Sequence, residues 1–274
     1  MLRSLYSGVS GMRGFQTKLD VIGNNIANVN TVGFKAGRVM FKDILSQTVS
    51  GVTAPTDEQG GVNSKQIGLG VTIGAIDTIH TPGSAMTTNV VTDLRIDGDG
   101  FFAVKTNEDQ EIPYLTRAGN FSLDAGRRLV NADGMFVMGT DDAPITVDET
   151  ITAFSISQSG EIIGVSAAGT AEPTGQFIAV VKVANPAGLE KIGGNLYRTT
   201  PNSNPEGEID LGAALANDAE TGTGAIVSGQ LEMSNVDLTA EFTEMIVAQR
   251  GFQANSRIIT TSDQILQEVV NLKQ

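Results

Sequence analysis

Apolar side chains recur at helical spacing near both ends of this chain, and the long middle lacks that pattern. At the amino end they fall at Leu2, Leu5, Val9, Met12, Leu19, Ile26 and Val29, a seven-residue seam interrupted at Gln16 and Gly23 and widened by Phe15 and Ile22. Toward the carboxyl end Leu238, Phe242, Met245, Phe252, Ile259, Leu266 and Val270 form a second seam, broadened by Ile246, Ile258, Ile265, Val269 and Leu272. An amphipathic helix cannot bury its own stripe. The two ends must pair with each other or with other molecules, which points to an assembling protein rather than a self-contained catalyst.

A helix over residues 1–30 would be ~40 Å long at 1.5 Å per residue. Gly8, Gly11, Gly14 and Gly23 each cost it about 1 kcal/mol relative to Ala, so packing has to hold it helical. The second helix has several N-cap candidates in Ser234-Asn-Val-Asp-Leu-Thr239. Residues 1–45 carry six basic and two acidic side chains, residues 236–274 three and five. The ends are thus weakly opposite in sign, and the simplest closure is an antiparallel, coiled-coil-like two-helix stalk. Each stripe is wider than a two-helix seam, which implies further neighbours supplied by other copies.

The middle reads as an all-β domain. Short strands are predicted at Leu94–Ile96, Phe101–Lys105, Tyr114–Thr116, Phe121–Leu123, Arg128–Val130, Met135–Met138, Ile145–Val147, Phe154–Ile156, Ile162–Val165, Phe177–Val183 and Leu196–Arg198, punctuated by Asp-Gly and Ala-Gly turns. Thr53–Gly61 and residues 199–224 read as exposed loops. The expected fold class is mainly β with α-helical termini. Residues 1–35 and 236–274 form a discontinuous helical core, 36–75 a polar linker, and 76–235 a β-rich outer domain.

Composition narrows function mostly by exclusion. The net charge of −13 opposes nucleic-acid phosphates, and twenty-four of the thirty-one acidic residues lie in 46–235, a charge that favours solubility. With no cysteine, disulfides, thiolate metal sites and Cys nucleophiles are ruled out. The residues after Met1-Leu2-Arg3 do not form a signal-peptide apolar run, and the stretch from Phe177 is too short to insert in a bilayer. His80 has no evident catalytic partner. Asp97-Gly-Asp-Gly100 followed by Glu108 has the outline of a Ca²⁺ loop, but Phe101 and Phe102 stand where a ligand and the required Gly belong. Gly68-Leu-Gly70 with Gly74 is not a dinucleotide fingerprint. No catalytic, cofactor or metal residues are assigned. An acidic glycan-acting enzyme and a secreted adhesin are the rival classes.

Specific motifs then carry a resemblance. Asp20-Val-Ile-Gly-Asn-Asn-Ile-Ala-Asn-Val-Asn-Thr-Val-Gly-Phe-Lys35 resembles the amino-terminal signature of bacterial flagellar rod and hook proteins, with Asn24, Asn25, Asn28, Thr31, Gly33, Phe34 and Lys35 as its marked positions. Ser228–Leu238, containing Ser234, Asn235 and Val236, and Met245–Ser256, containing Gln249 and Arg250, resemble the carboxyl-terminal signature. Gly98-Asp-Gly-Phe-Phe102, Thr116-Arg-Ala-Gly-Asn-Phe121 and Gly193-Gly-Asn-Leu-Tyr197 are similar to the β domain of the same family.

The resemblance implies a non-enzymatic subunit that polymerises into a tubular, torque-transmitting axial structure of the flagellum. Leu5, Val9, Met12, Leu19, Ile22, Ile26, Phe242, Met245, Ile246, Phe252, Ile259 and Leu266 would pack the stalk and its neighbours. It also implies a homo-oligomeric helical polymer with no cofactor and no membrane insertion. Partners would be the adjoining rod, hook-cap and hook–filament junction proteins and the flagellar type III export apparatus, with export beyond the cell membrane and no cleaved signal peptide. Phe41-Lys-Asp-Ile-Leu45 fits a short export-gate element carried by Phe41 and Leu45; packing on the stalk explains the same residues. Within the family, Ser234–Leu238 and Val270-Asn-Leu-Lys273 favour a hook protein. Residues 46–75, with Gln66-Ile-Gly-Leu-Gly70, favour a distal rod protein, and hook is the reading preferred on sequence.

Overall fold

A computed structural model describes residues 2–55, 60–107, 110–166, 169–204 and 209–272. Glu108, Lys273, and residues 56–59 and 205–208 of the two expected loops lie outside the described residues. The chain divides into two compact units. The first comprises the described parts of 1–27, 37–78 and 237–274; the second comprises those of 28–36 and 79–236.

The first unit is built on two long helices, α1 (Leu2–Ala27) and α2 (Leu238–Asn271). Asp237 caps α2, its carboxylate accepting from Thr239 N at 2.8 Å and Ala240 N at 3.4 Å, with Glu241 favourably placed in the first turn. The helices run antiparallel. Gly8 faces Asn255 and Ile259, Phe15 faces Gly251, Lys18 pairs with Glu244 at 3.0 Å, and Asn25 donates to Glu241 at 2.9 Å. Two of the glycines that weaken α1 on propensity leave room for neighbouring side chains. A Cβ at Gly11 would sit 2.7 Å from the Asn255 amide nitrogen, and one at Gly14 2.7 Å from the Phe41 ring. Gly23 has no such neighbour and keeps its cost.

Residues 36–75, expected as a linker, are instead mostly strand. Gly37–Asp43 pairs antiparallel with Val71–Thr78, and Ser46–Ser50 pairs with Lys65–Gly68. Neither pair has one face buried, so no apolar alternation marks them.

The second unit is centred on an eight-stranded antiparallel sheet. Its order runs Glu190–Gly193, Leu196–Arg198, Tyr114–Thr116, Phe101–Lys105, Phe136–Val137, Leu129–Val130 and Ser122–Leu123, with Val180–Val181 also on Phe101–Lys105. All five residues of Phe101–Lys105 are buried. Phe102 and Val104 join one core with Leu94, Leu129, Ile162 and Ile178; Phe101 and Ala103 join the other with Leu115, Met138 and Tyr197. A strand covered on both faces loses its alternation and reads as a continuous apolar run. A three-stranded sheet (Ile151–Ile156, Glu161–Ser166, Ala171–Phe177) and two strand pairs complete the unit: Ala225–Ser228 with Leu94–Asp97, and Gln230–Glu232 with Ala85–Thr87.

Two expected strands differ. Ile145–Val147 makes only a bridge, Thr146 to Arg128, and the run from Phe177 to Val183 splits at Ile178. Apolar content there reflects burial in a core, not a continuous ladder.

Candidate functional site: a buried ion cluster and unpartnered helix faces

Lys35, Glu232 and Arg117 form a buried ionic triad in the second unit, their side chains at most 3% exposed. Lys35 Nζ lies 2.6 Å from Glu232 Oε1 and also donates to Thr81 O at 2.8 Å. Arg117 Nη1 donates to Glu232 Oε2 at 3.2 Å and Nη2 to Gly98 O at 2.8 Å. Gly83 N donates to Glu232 Oε1, and Gly33 N donates to the Glu232 backbone carbonyl. Burial pushes the Glu232 carboxyl up, but the Arg117 and Lys35 charges outweigh it and hold it below the usual range. Burial lowers Lys35, which Glu232 only partly offsets. One carboxylate thus serves two cations in a dry setting, where losing it would strand both.

The motifs that carry the resemblance converge here. Lys35 and Gly33 come from the amino-terminal signature, Glu232 from the carboxyl-terminal one, and Arg117 and Gly98 from two of the β-domain motifs. Asn195, from the third, donates to Val32 O at 2.9 Å. Gly33 has φ +70°, and a Cβ there would lie 2.6 Å from Ala118 N, so glycine is required twice over.

Two signature asparagines fasten chain segments next to where the chain passes from one unit to the other. In the second unit Asn235 accepts from Ala36 N at 2.8 Å and donates to Ile79 O at 2.8 Å and Thr81 Oγ1 at 3.0 Å. In the first, buried Asn25 accepts from Gly37 N, donates to Gly37 O, and reaches Glu241 on α2. Both asparagines use donor and acceptor together, which neither Asp nor Leu could reproduce.

Around the triad, His80 stacks edge-on against Phe101 and Tyr197, with ring centroids 5.7 and 5.5 Å away. Its Nδ1 is buried without a partner. Burial, then the Lys35, Arg117 and Lys191 charges, lowers it to about 4. Burial pushes the Tyr197 hydroxyl up to about 12. His80 is a neutral packing residue at physiological pH.

The stalk residues fall into two groups in the first unit. Ile22 is buried, and Leu5, Met12, Leu19, Ile26, Met245, Ile259 and Leu266 are half-buried. Phe242, Ile246 and Phe252 are exposed, at 51%, 59% and 37%, as is Val9 at 36%. Ile258, Ile265, Val269 and Leu272 are exposed too. Gln249 and Arg250 lie exposed on α2, Ser234 is buried, and Phe34 is buried beneath the Lys191 ammonium 4.0 Å from its ring. Phe41 packs on the Phe15 ring at 5.8 Å, whereas Leu45 is 62% exposed.

Asp97–Gly100 is a turn joining two strands, with Gly98 and Gly100 at positive φ. Among the described residues no group of His, Cys, Asp and Glu has metal-holding geometry, and no helix is long and apolar enough to cross a membrane. Sequence reading missed the triad because Lys35, Arg117 and Glu232 are far apart along the chain. The available signal was that each charged residue sits inside an otherwise apolar or Gly-rich motif.

Three family models match. "Flagella basal body rod protein" covers residues 5–35, "Flagellar hook protein FlgE/F/G D1 domain" covers 95–164, and "Flagellar basal body rod FlgEFG protein C-terminal" covers 227–272. The chain is 56% identical over 275 residues to a flagellar basal-body rod protein FlgG of Bacillus subtilis, with all of both chains covered. It is 37% identical over 278 residues to the FlgG rod protein of Borreliella burgdorferi, also over both full lengths. A flagellar hook protein FlgE of the same spirochaete is 31% identical, but over an alignment of 453 positions.

Proposed function

The chain belongs to the family of flagellar basal-body rod and hook proteins, and we propose that within this family it is the distal rod subunit, polymerising into a stiff tube that passes motor torque outward. It is a structural flagellar protein. The observation that carries the finer reading is length together with identity. Rod relatives align over 275–278 positions with few gaps, whereas the hook relative needs 453 positions against the 274 residues here. The hook reading preferred on the chain ends therefore gives way to the rod alternative. The paired strands within 37–78 support the same choice, since the rod-like segment is ordered ribbon rather than linker.

In this reading the exposed apolar faces of α1 and α2 pack against other copies, and burying them supplies roughly 25 cal/mol per Å². Subunits travel unfolded through the type III export apparatus. Phe41 is engaged by Phe15 in the folded unit, so any docking of Phe41 and Leu45 on the export gate belongs to the chain before it folds. Electron microscopy of basal bodies from cells lacking the gene tests the choice. A rod that ends short, with neither tip nor hook, is expected; an intact rod lacking only its curved extension would make the protein a hook subunit.

A further inference from the structure

The two helices of the first unit differ in length, 26 residues against 34. Their antiparallel register is fixed by Gly8 against Ile259 and Lys18 against Glu244. α1 therefore runs out near Ser262, the last buried residue of α2. About two further turns of α2 project past it, roughly 10 Å at 1.5 Å per residue. That end is apolar and exposed: Ile265 is 44%, Val269 52%, Val270 63% and Leu272 86% exposed. It also carries one carboxylate, Glu268, with Lys273 following outside the described residues. Its last turn holds no basic residue, Glu268 makes no ion pair among the described residues, and the helix carbonyls add about half a negative charge.

The same unit holds a groove of about 400 Å³ beside α1, lined by Tyr6, Val9, Arg13, Thr17, Leu69 and Ile73 among others. Arg13 is exposed and makes no salt bridge among the described residues. Tyr6 to Thr17 spans roughly 17 Å of helix, enough for the projecting turns. Groove and projection complement each other in charge, apolar content and length, and they lie on different parts of the surface.

We propose that the projecting end of α2 in one copy docks in the α1 groove of a second copy, with Glu268 near the second copy's Arg13. The proposal rests on the polymer reading above. A contact between two different patches is heterologous, so it propagates into an open helical filament instead of closing as a dimer.

Because the chain has no cysteine, paired substitutions test this cleanly. Within one copy Thr17 lies near the Lys18–Glu244 pair, so Leu272 is roughly 40 Å away along α2. A disulfide needs Cα atoms within about 7 Å. Polymer grown from Thr17→Cys/Leu272→Cys protein and oxidised is expected to give a ladder of covalent oligomers on a non-reducing gel, and each single variant nothing beyond dimer. In parallel, Arg13→Glu and Glu268→Arg should each lower polymer yield at least fivefold, and the combined swap should restore it. Normal filaments in the microscope with no ladder, or charge swaps that neither weaken nor rescue, would overturn the docking while leaving the polymer reading standing. An unsubstituted chain that never polymerises would instead remove the polymer reading, and the docking with it.

Discussion

Replacing Glu232 by Gln isolates the ionic triad from everything else in the second unit. The amide keeps the shape and can still accept from Gly83 N, but Lys35 and Arg117, both at most 3% exposed, lose their one counter-charge. At an effective dielectric near 20, each contact is worth roughly 4 kcal/mol of attraction, set against the repulsion between the cations and the cost of drying them. Removing the partner of a buried charge typically costs about 3–5 kcal/mol, and two cations depend on this one, so about 4–5 kcal/mol is expected. Against a total stability of about 5–15 kcal/mol that is a large fraction. Urea denaturation of the full chain at pH 7 reads it out, followed by near-ultraviolet circular dichroism, to which Tyr114 and Tyr197 contribute. The transition midpoint should fall with little change in slope. Replacing the whole triad (Lys35→Met, Arg117→Met, Glu232→Leu) should cost less than Glu232→Gln alone, because no charge is then stranded. A loss below about 1 kcal/mol for Glu232→Gln, or a triple variant worse than the single, would refute the assignment of a dry, charged cluster.

Three further outcomes follow from named contacts. Gly33→Ala puts a Cβ against Ala118 N at φ +70° and should cost about 2–4 kcal/mol of stability by the same denaturation. His80 has a folded-state value depressed to about 4 against an unfolded 6.5, so its contribution is fully present above pH 6.5 and is lost as pH falls toward 4. Since His80 is only half-buried, that loss is discounted to about 1–2 kcal/mol, and His80→Gln should flatten the pH 7-to-4 stability difference by this amount. Ile259→Asp, set against Gly8, should abolish filaments in electron micrographs while leaving the strand signal of the second unit intact; normal filaments would remove the seam from the assembly surface.

Elements built on one strong period were legible in the sequence. α1 and α2 announce themselves because one stripe faces a partner helix and the rest does not, and Phe101–Lys105 because both its faces are covered. The pairing of Ser46–Ser50 with Lys65–Gly68 was not legible, since every residue in both strands is exposed and the segments resemble loop in composition. Nor was the triad. Lys35 and Glu232 are 197 residues apart, and a charge in a sequence reads as surface unless something shows it buried. The glycines of α1 were legible as glycines but not in purpose: propensity counts their cost, and only the neighbouring Asn255 and Phe41 side chains reveal the gain.

Together these contacts explain why an assembling subunit would invest its most specific residues in fastening its own chain segments. Each passage of chain from one unit to the other starts or ends next to a segment held by Asn25, Asn235 or the triad. In the proposed polymer the exposed stripes of α1 and α2 would supply non-directional cohesion, which tolerates many apolar side chains. In the proposed torque-bearing polymer, the backbone segments that run from one unit to the other have to hold their geometry under load. Apolar packing lets such segments slide, whereas a hydrogen-bonded asparagine or a buried ion pair has one geometry and is costly to leave half-made. If the clasps serve stiffness rather than stability, Asn235→Asp should leave filaments that assemble, because the stripes are untouched, but bend more readily under load. The Asp keeps the acceptor for Ala36 N and loses the donors to Ile79 O and Thr81. Persistence length measured from micrographs of variant and parent filaments decides the matter, and equal values would assign these asparagines to folding alone.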